Sequence, residues 1–247
     1  MGKDSNMTKS VLLAAAALTM AAPAMAAPIN GTGDVTPDII FGSGNANGGF
    51  TGINNGVVEL GLRGKLRYDA SGQPQNIFNY DGVNSYFFTN IGNAVPANRS
   101  VFNFEFSINS DPTGQNGTGL NTYTYTLSVD TDPGAGTSFL TFDPCVFDNA
   151  VGTNTTANGD GTTSFTCGDG SQNVAQNSQN LGFGYTANPQ APGQYTFMLE
   201  AFEGGASIGS TLINVYVDTQ PVPAPAALGL LGLGLAGMGA LRRRRAA

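Results

Sequence analysis

The chain has 247 residues, of which only 11% are charged, with 35 glycines, two cysteines, no histidine and no tryptophan. Without histidine it lacks the commonest general base and the commonest metal ligand, which excludes a histidine-based triad and the usual zinc sites. The formal net charge of −7 hides a stronger imbalance, because between residues 27 and 218 four cations (Arg63, Lys65, Arg67 and Arg99) face sixteen carboxylates, a balance of −12. Such a surface repels nucleic acid.

The chain opens with a secretory pattern. Lys9 supplies a positive start, residues 11–22 a short apolar run, and Ala24-Met25-Ala26 a small-residue cleavage site. The run is too short for an ordinary spanning helix, so residues 1–26 are predicted to be a signal peptide.

The body, residues 27–218, is rich in Gly, Asn and Thr, a mixture that suits short strands and many turns better than helices. Its clearest signal is period-two alternation. Val58, Leu60, Leu62, Leu66 and Tyr68 alternate with Glu59, Arg63, Lys65 and Arg67. Phe102, Phe104, Phe106 and Ile108 alternate with Asn103, Glu105 and Ser107. Tyr123, Tyr125, Leu127 and Val129 form a third stripe, and Tyr195, Phe197, Leu199 and Ala201 a fourth. Residues 212–217 form a fifth run that closes a hairpin around Gly204-Gly205. Each run predicts a strand with one buried face and one wet face. Shorter candidates lie at residues 39–41, 86–89, 139–142 and 181–185. About nine strands without a long internal repeat predict an all-β fold, an antiparallel β-sandwich of Ig-like or jelly-roll-like type. Two long polar loops are expected at residues 109–121 and 150–163.

Candidate chemistry is sparse. Cys145 and Cys167, an even pair in an exported chain, predict a structural disulfide. Asp130-Thr131-Asp132-Pro133-Gly134 begins like a calcium loop, with Asp130 and Asp132 as the oxygen ligands, but it lacks the distant glutamate of an EF-hand. Read as a plain strand-ending turn, the same residues need no ion, so calcium is the one cofactor to consider and none is required. Glu59, Glu105, Glu200 and Glu203 could in principle supply a glycosidase pair, yet the first three fall on the wet faces of predicted strands and read as solvated. Gly42-Ser43-Gly44 has neither the lysine nor the helix of a phosphate loop and reads as a turn. The aromatic stripes sit at strand spacing, which core packing explains.

The end of the chain is the most specific part. Pro221-Val222-Pro223-Ala224-Pro225 is a stiff extended spacer, part of a linker over residues 219–225. Residues 226–241 are small or apolar, and Arg242, Arg243, Arg244 and Arg245 stop the run within a basic tail, residues 242–247. Sixteen helical residues cover about 24 Å at 1.5 Å each, slightly under the hydrocarbon core, so a transmembrane helix is predicted with its arginines on the cytoplasmic side. This order of Val222, Pro223, Ala224 and Pro225, a Gly/Leu-rich helix and an arginine cluster resembles the PEP-CTERM protein-sorting family, with Ala224 where that family usually has Glu. The resemblance implies recognition and cutting near the motif by an exosortase-type membrane enzyme. It also implies a biofilm- or exopolysaccharide-forming host.

Together these readings predict a non-enzymatic cell-envelope or extracellular matrix protein. It is anchored in the membrane by its C-terminus before processing and is found at the surface or outside the cell afterwards. Its expected partners are the exosortase-type enzyme, the membrane and exopolysaccharide, with no nucleic acid. The alternatives are a carbohydrate-binding or calcium-dependent adhesive module and, behind that, a carboxylate-based glycoside hydrolase.

Overall fold

A computed structural model describes residues 33–219, except 135, 168 and 169. The predicted signal peptide, the motif Val222, Pro223, Ala224 and Pro225, the transmembrane helix and the arginine cluster lie outside the described residues. Among the described residues no helix is long and apolar enough to cross a membrane.

Among the described residues eleven strands form two facing sheets. They are β1 (Thr51–Asn54), β2 (Glu59–Leu66), β3 (Ser85–Phe88), β4 (Phe102–Asn109), β5 (Thr124–Asp130), β6 (Phe139–Phe142), β7 (Asn149–Gly152), β8 (Thr162–Ser164), β9 (Val174–Gln179), β10 (Gly193–Glu203) and β11 (Ala206–Val217). One sheet has the order β1-β2-β4-β9-β7-β8 and the other β3-β11-β10-β5-β6. The architecture is the expected β-rich sandwich.

The strongest alternations become the central strands. On β4, Phe102, Phe104, Phe106 and Ile108 point into the core, where they meet Tyr195, Phe197 and Leu199 of β10 and Ile213 and Val215 of β11. The rings interlock rather than merely touch: Phe104 stacks on Phe197 at 4.6 Å and meets Tyr185 edge-on at 5.5 Å. Aromatic pairs in such offset and edge arrangements add attraction beyond the area they bury. β10 and β11 form the predicted hairpin, turning at Gly204 and Gly205 with φ of 56° and 84°. Positive φ at both central residues of a two-residue turn matches the twist of the flanking strands, and glycine adopts it without a Cβ clash.

The disulfide is formed. Cys145 and Cys167, 22 positions apart with Cα atoms 4.8 Å from each other, lie just past β6 and β8. Those strands are the outer strands of different sheets, so the bridge clips the two sheets together along one side. A closed loop of that size contributes roughly 3 kcal/mol by the chain-entropy account.

Several expectations are corrected. The sheets are not wholly antiparallel, because β3 runs parallel to β11. β3 is reached through the long stretch 67–84, so no hairpin fixes its direction. Residues 39–41 form no strand: Ile39 and Ile40 are adjacent and both fully buried, and they plug two separate small clusters. Residues 181–183 form a short 3-10 turn instead of a strand, capped by Asn180, whose side chain accepts from the Gly182 N–H. Four strands, β1, β7, β8 and β9, have no counterpart among the expected ones.

The largest correction concerns the wet faces. β2 and β4 are buried on both sides, so Glu59, Arg63, Lys65, Asn103, Glu105 and Ser107 are all enclosed. Residues 33–50 fold over the outer face of this sheet and seat Val35, Ile39 and Phe50 against it. Gly61 permits the approach, since a Cβ there would come within 2.8 Å of Val35 and 3.1 Å of the Phe50 ring.

Candidate functional site

Beneath that cover lies a charged network. Arg63 is fully buried, with its guanidinium 2.6 Å from Glu105 Oε2. It also donates to the carbonyls of Ala46 and Gly48 at 2.9 and 2.6 Å, and it sits 4.2 Å from the Phe50 ring centre and 4.6 Å from that of Phe78. Glu105 further accepts from the Ser178 hydroxyl at 3.0 Å. Glu59 accepts from the Thr36 N–H at 2.6 Å and from Asn54 Nδ2 at 3.0 Å. Burial pushes the Glu59 carboxyl above its ordinary value, and the Thr36 and Asn54 hydrogen bonds offset part of that rise. Glu59 thus fastens the covering segment to the sheet directly, and Glu105 does so through Arg63, whose guanidinium it holds against the carbonyls of Ala46 and Gly48. Glu200 is half-buried within β10, and Glu203 is exposed where that strand meets the hairpin turn.

The two predicted polar loops do converge. Asn109, Asn154 and Asn173 join through their amides: Asn173 Nδ2 donates to Asn109 Oδ1 at 2.9 Å and to Asn154 Oδ1 at 2.6 Å, and Asn109 Nδ2 donates to Asn154 Oδ1 at 2.9 Å. Asp111 shapes the first loop by accepting from the N–H groups of Asn116 and Gly117 at 2.9 and 2.8 Å and from the Thr113 hydroxyl at 3.0 Å. Desolvation works against the Asp111 charge, but the hydrogen bonds from Thr113, Gly117 and Asn116 outweigh it and hold the carboxyl below its usual range. Between the loops opens a cleft of about 340 Å³ lined by Asp111, Thr118, Thr153, Asn154, Asn173 and several glycines. Amides, hydroxyls and one carboxylate dominate its polar groups. Asn173 has no signal in the sequence, being one amide in a Gly- and Asn-rich stretch.

Asp130 is fully buried at the end of β5. Its Oδ1 accepts from the N–H groups of Asp132 and Ser138 at 3.1 and 2.8 Å, and its Oδ2 lies 3.4 Å from the Thr196 N–H. Asp132 is exposed and accepts from the Gly134 N–H at 2.9 Å. The two aspartates brace the β5–β6 turn. Among the described residues no group of three or more Asp, Glu or Cys side chains stands close enough together to hold a metal ion.

At the same end of the five-stranded sheet as the Asp130 turn, the chain leaves the sandwich through a clamp. Asp218, with φ of 52°, accepts from the Thr89 hydroxyl at 2.6 Å, the Asn90 N–H at 3.1 Å and Asn90 Nδ2 at 2.8 Å. The Thr219 hydroxyl donates to the Gly193 carbonyl at 3.2 Å. These bonds tie the end of β11 to Thr89 and Asn90 and to the start of β10. Comparison with known families gives the next segment its meaning. Residues 221–245 match the PEP-CTERM protein-sorting motif. The motif supports an exported, envelope-sorted protein processed by an exosortase-type enzyme. The PEP-CTERM segment begins two residues beyond Thr219, so the sorting signal comes directly behind the clamp in the chain. No curated protein matches the chain.

Proposed function

We propose that the protein is a non-enzymatic structural component of the cell surface or extracellular matrix. In this reading the sandwich is exported and tethered through a helix at residues 226–241, with Arg242, Arg243, Arg244 and Arg245 on the cytoplasmic side. It is then cut near Val222, Pro223, Ala224 and Pro225 and released. The observation that carries the reading is the PEP-CTERM match at residues 221–245, placed just behind the Asp218 clamp. The engagement of Glu59 with Thr36, and of Glu105 with the Arg63 that reaches Ala46 and Gly48, supports a scaffold role for those carboxylates.

A second reading is favoured by one observation, the cleft between the 109–121 and 153–155 loops. Amides and hydroxyls on glycine-rich backbone suit a neutral polyhydroxyl ligand, which would make the domain a carbohydrate-binding or adhesive module of the exopolysaccharide. Calcium at the Asp130–Asp132 turn belongs to that reading. Electrophoresis of the body through gels containing the host's own polysaccharide separates the two. A structural component is expected to migrate as it does in plain gels. Retardation that disappears in Asn173→Ala or Asn154→Ala would replace the scaffold reading with the binding one.

A further inference from the structure

The hollow under the covering segment brings together an amine, an amide and a carboxylate. Asn45 lies in the covering segment, and its Nδ2 donates to the carbonyls of Phe41 and Gly42 at 2.9 and 3.0 Å. Those two bonds aim Oδ1 at β2, where Lys65 Nζ donates to it. Lys65 is itself buried, with Glu105 Oε1 3.9 Å from its Nζ. These groups share a hollow of about 210 Å³ with Phe41, Arg67 and Asn103.

The charges in this place do not match. Glu105 is a single carboxylate facing two buried cations, and Arg63 holds it at 2.6 Å while Lys65 stands at 3.9 Å. A guanidinium does not give up its proton in a protein, so the excess positive charge is relieved only at the lysine. Burial pushes the Lys65 ammonium below its ordinary value; Glu105 works against that fall, and Arg63 and Arg67 deepen it. A neutral lysine amine is a nucleophile, and this one is already in contact with an amide held in place.

We propose that Lys65 and Asn45 are joined by an intramolecular amide bond that the folded protein forms on itself, with Glu105 as the proton carrier. The Glu105 carboxylate takes a proton from the Lys65 ammonium, and the freed Nζ lone pair attacks Asn45 Cγ. The Nζ–Cγ bond forms and the Cγ–Nδ2 bond breaks. The leaving nitrogen collects the protons that Nζ gives up, one of them by way of Glu105, and departs as ammonium. The positive charge that entered on Lys65 leaves with it, so no oxidant, cofactor or further reactant is needed. The carbonyls of Phe41 and Gly42, already accepting from Nδ2, hold the departing group. The product staples the covering segment to β2 and removes the mismatched cation from beside Arg63. It would be a second covalent brace, on the opposite face of the sheet from the aromatic core.

The test is mass spectrometry of the purified folded protein after denaturation, reduction and digestion. The expected result is a branched peptide that joins the segment carrying Asn45 to the one carrying Lys65, lighter than the two separate peptides by the loss of one ammonia. In Glu105→Gln the branched peptide is expected to vanish. Asn45→Ala leaves the Arg63–Glu105 pair intact and is expected to fold without the branch, which guards against a Glu105 variant that fails to fold. Recovery of Asn45 and Lys65 on separate, full-mass peptides from the folded wild-type protein would overturn the proposal. Loss of ammonia without a branch is cyclisation of an asparagine on its own backbone and would overturn it equally.

Discussion

Arg63→Ala is expected to cost about 3–5 kcal/mol of folding stability, the range for removing one partner of a buried ion pair. The side chain is fully buried, and its loss takes away the guanidinium 2.6 Å from Glu105, which keeps only the Ser178 hydroxyl at 3.0 Å and the Lys65 ammonium at 3.9 Å. It also leaves the carbonyls of Ala46 and Gly48 without their donor and opens a void between the rings of Phe50 and Phe78. Arg63→Lys should recover little of the loss, because a single ammonium cannot span the carboxylate and both carbonyls as a guanidinium fork does. The double substitution Arg63→Met with Glu105→Leu should be milder than Arg63→Ala, since it does not leave the Glu105 carboxylate buried without its guanidinium, though Lys65 then loses its acidic neighbour. Urea unfolding of these variants beside the wild type measures the set. An Arg63→Ala variant within about 1 kcal/mol of wild type would show that the covering segment does not depend on this network.

Phe104→Ala is expected to cost a comparable amount, about 3–5 kcal/mol, by a different mechanism. Phe104 is fully buried, stacks on Phe197 of the facing sheet and meets Tyr185 edge-on. Removing the ring loses its transfer free energy and leaves a cavity walled by aromatic side chains that cannot collapse without breaking other stacks. Phe165→Ser is the matched control: that ring is 70% exposed, and the change should stay within about 0.5 kcal/mol. Thermal unfolding monitored by near-ultraviolet circular dichroism would report both. Equal effects of the two substitutions would contradict the placement of the core.

These two residues also show what a sequence discloses and what it withholds. The stripe through Phe104 is legible because an apolar residue at every second position has one physical explanation, a strand with a dry face. Arg63 and Glu105 sit on the same two strands, and their alternation reads as a solvated face. Nothing in β2 or β4 announces that residues 33–50 fold back over it, because the cover is held by side chains reaching isolated backbone groups, as in Glu59 to Thr36 or Gln176 to Ile40. β9 is hidden for the same reason. Its sequence, Val-Ala-Gln-Asn-Ser-Gln, carries little apolar alternation, yet Gln176 and Asn177 are buried by hydrogen bonds to Ile40, Ser107 and Asn149. Amide networks bury strands that hydropathy assigns to loops.

The candidate cleft is half legible. Both polar loops can be located by their Gly and Asn content, but Asn173, which ties them together, cannot be told from its neighbours. The sorting signal is the reverse case. Val222, Pro223, Ala224 and Pro225 and the arginines after residue 241 carry their meaning in linear order, so the sequence alone is enough to suggest it and the family match at residues 221–245 agrees.

The most direct measurement is the intact mass of the protein recovered separately from the membranes and the medium of its own host. The account predicts a released body that ends close to Val222–Ala226 and lacks both the apolar run and the four arginines, alongside a membrane-held form that retains them. A single form with its complete tail, confined to the membrane, would contradict it and leave an anchored domain with no processing.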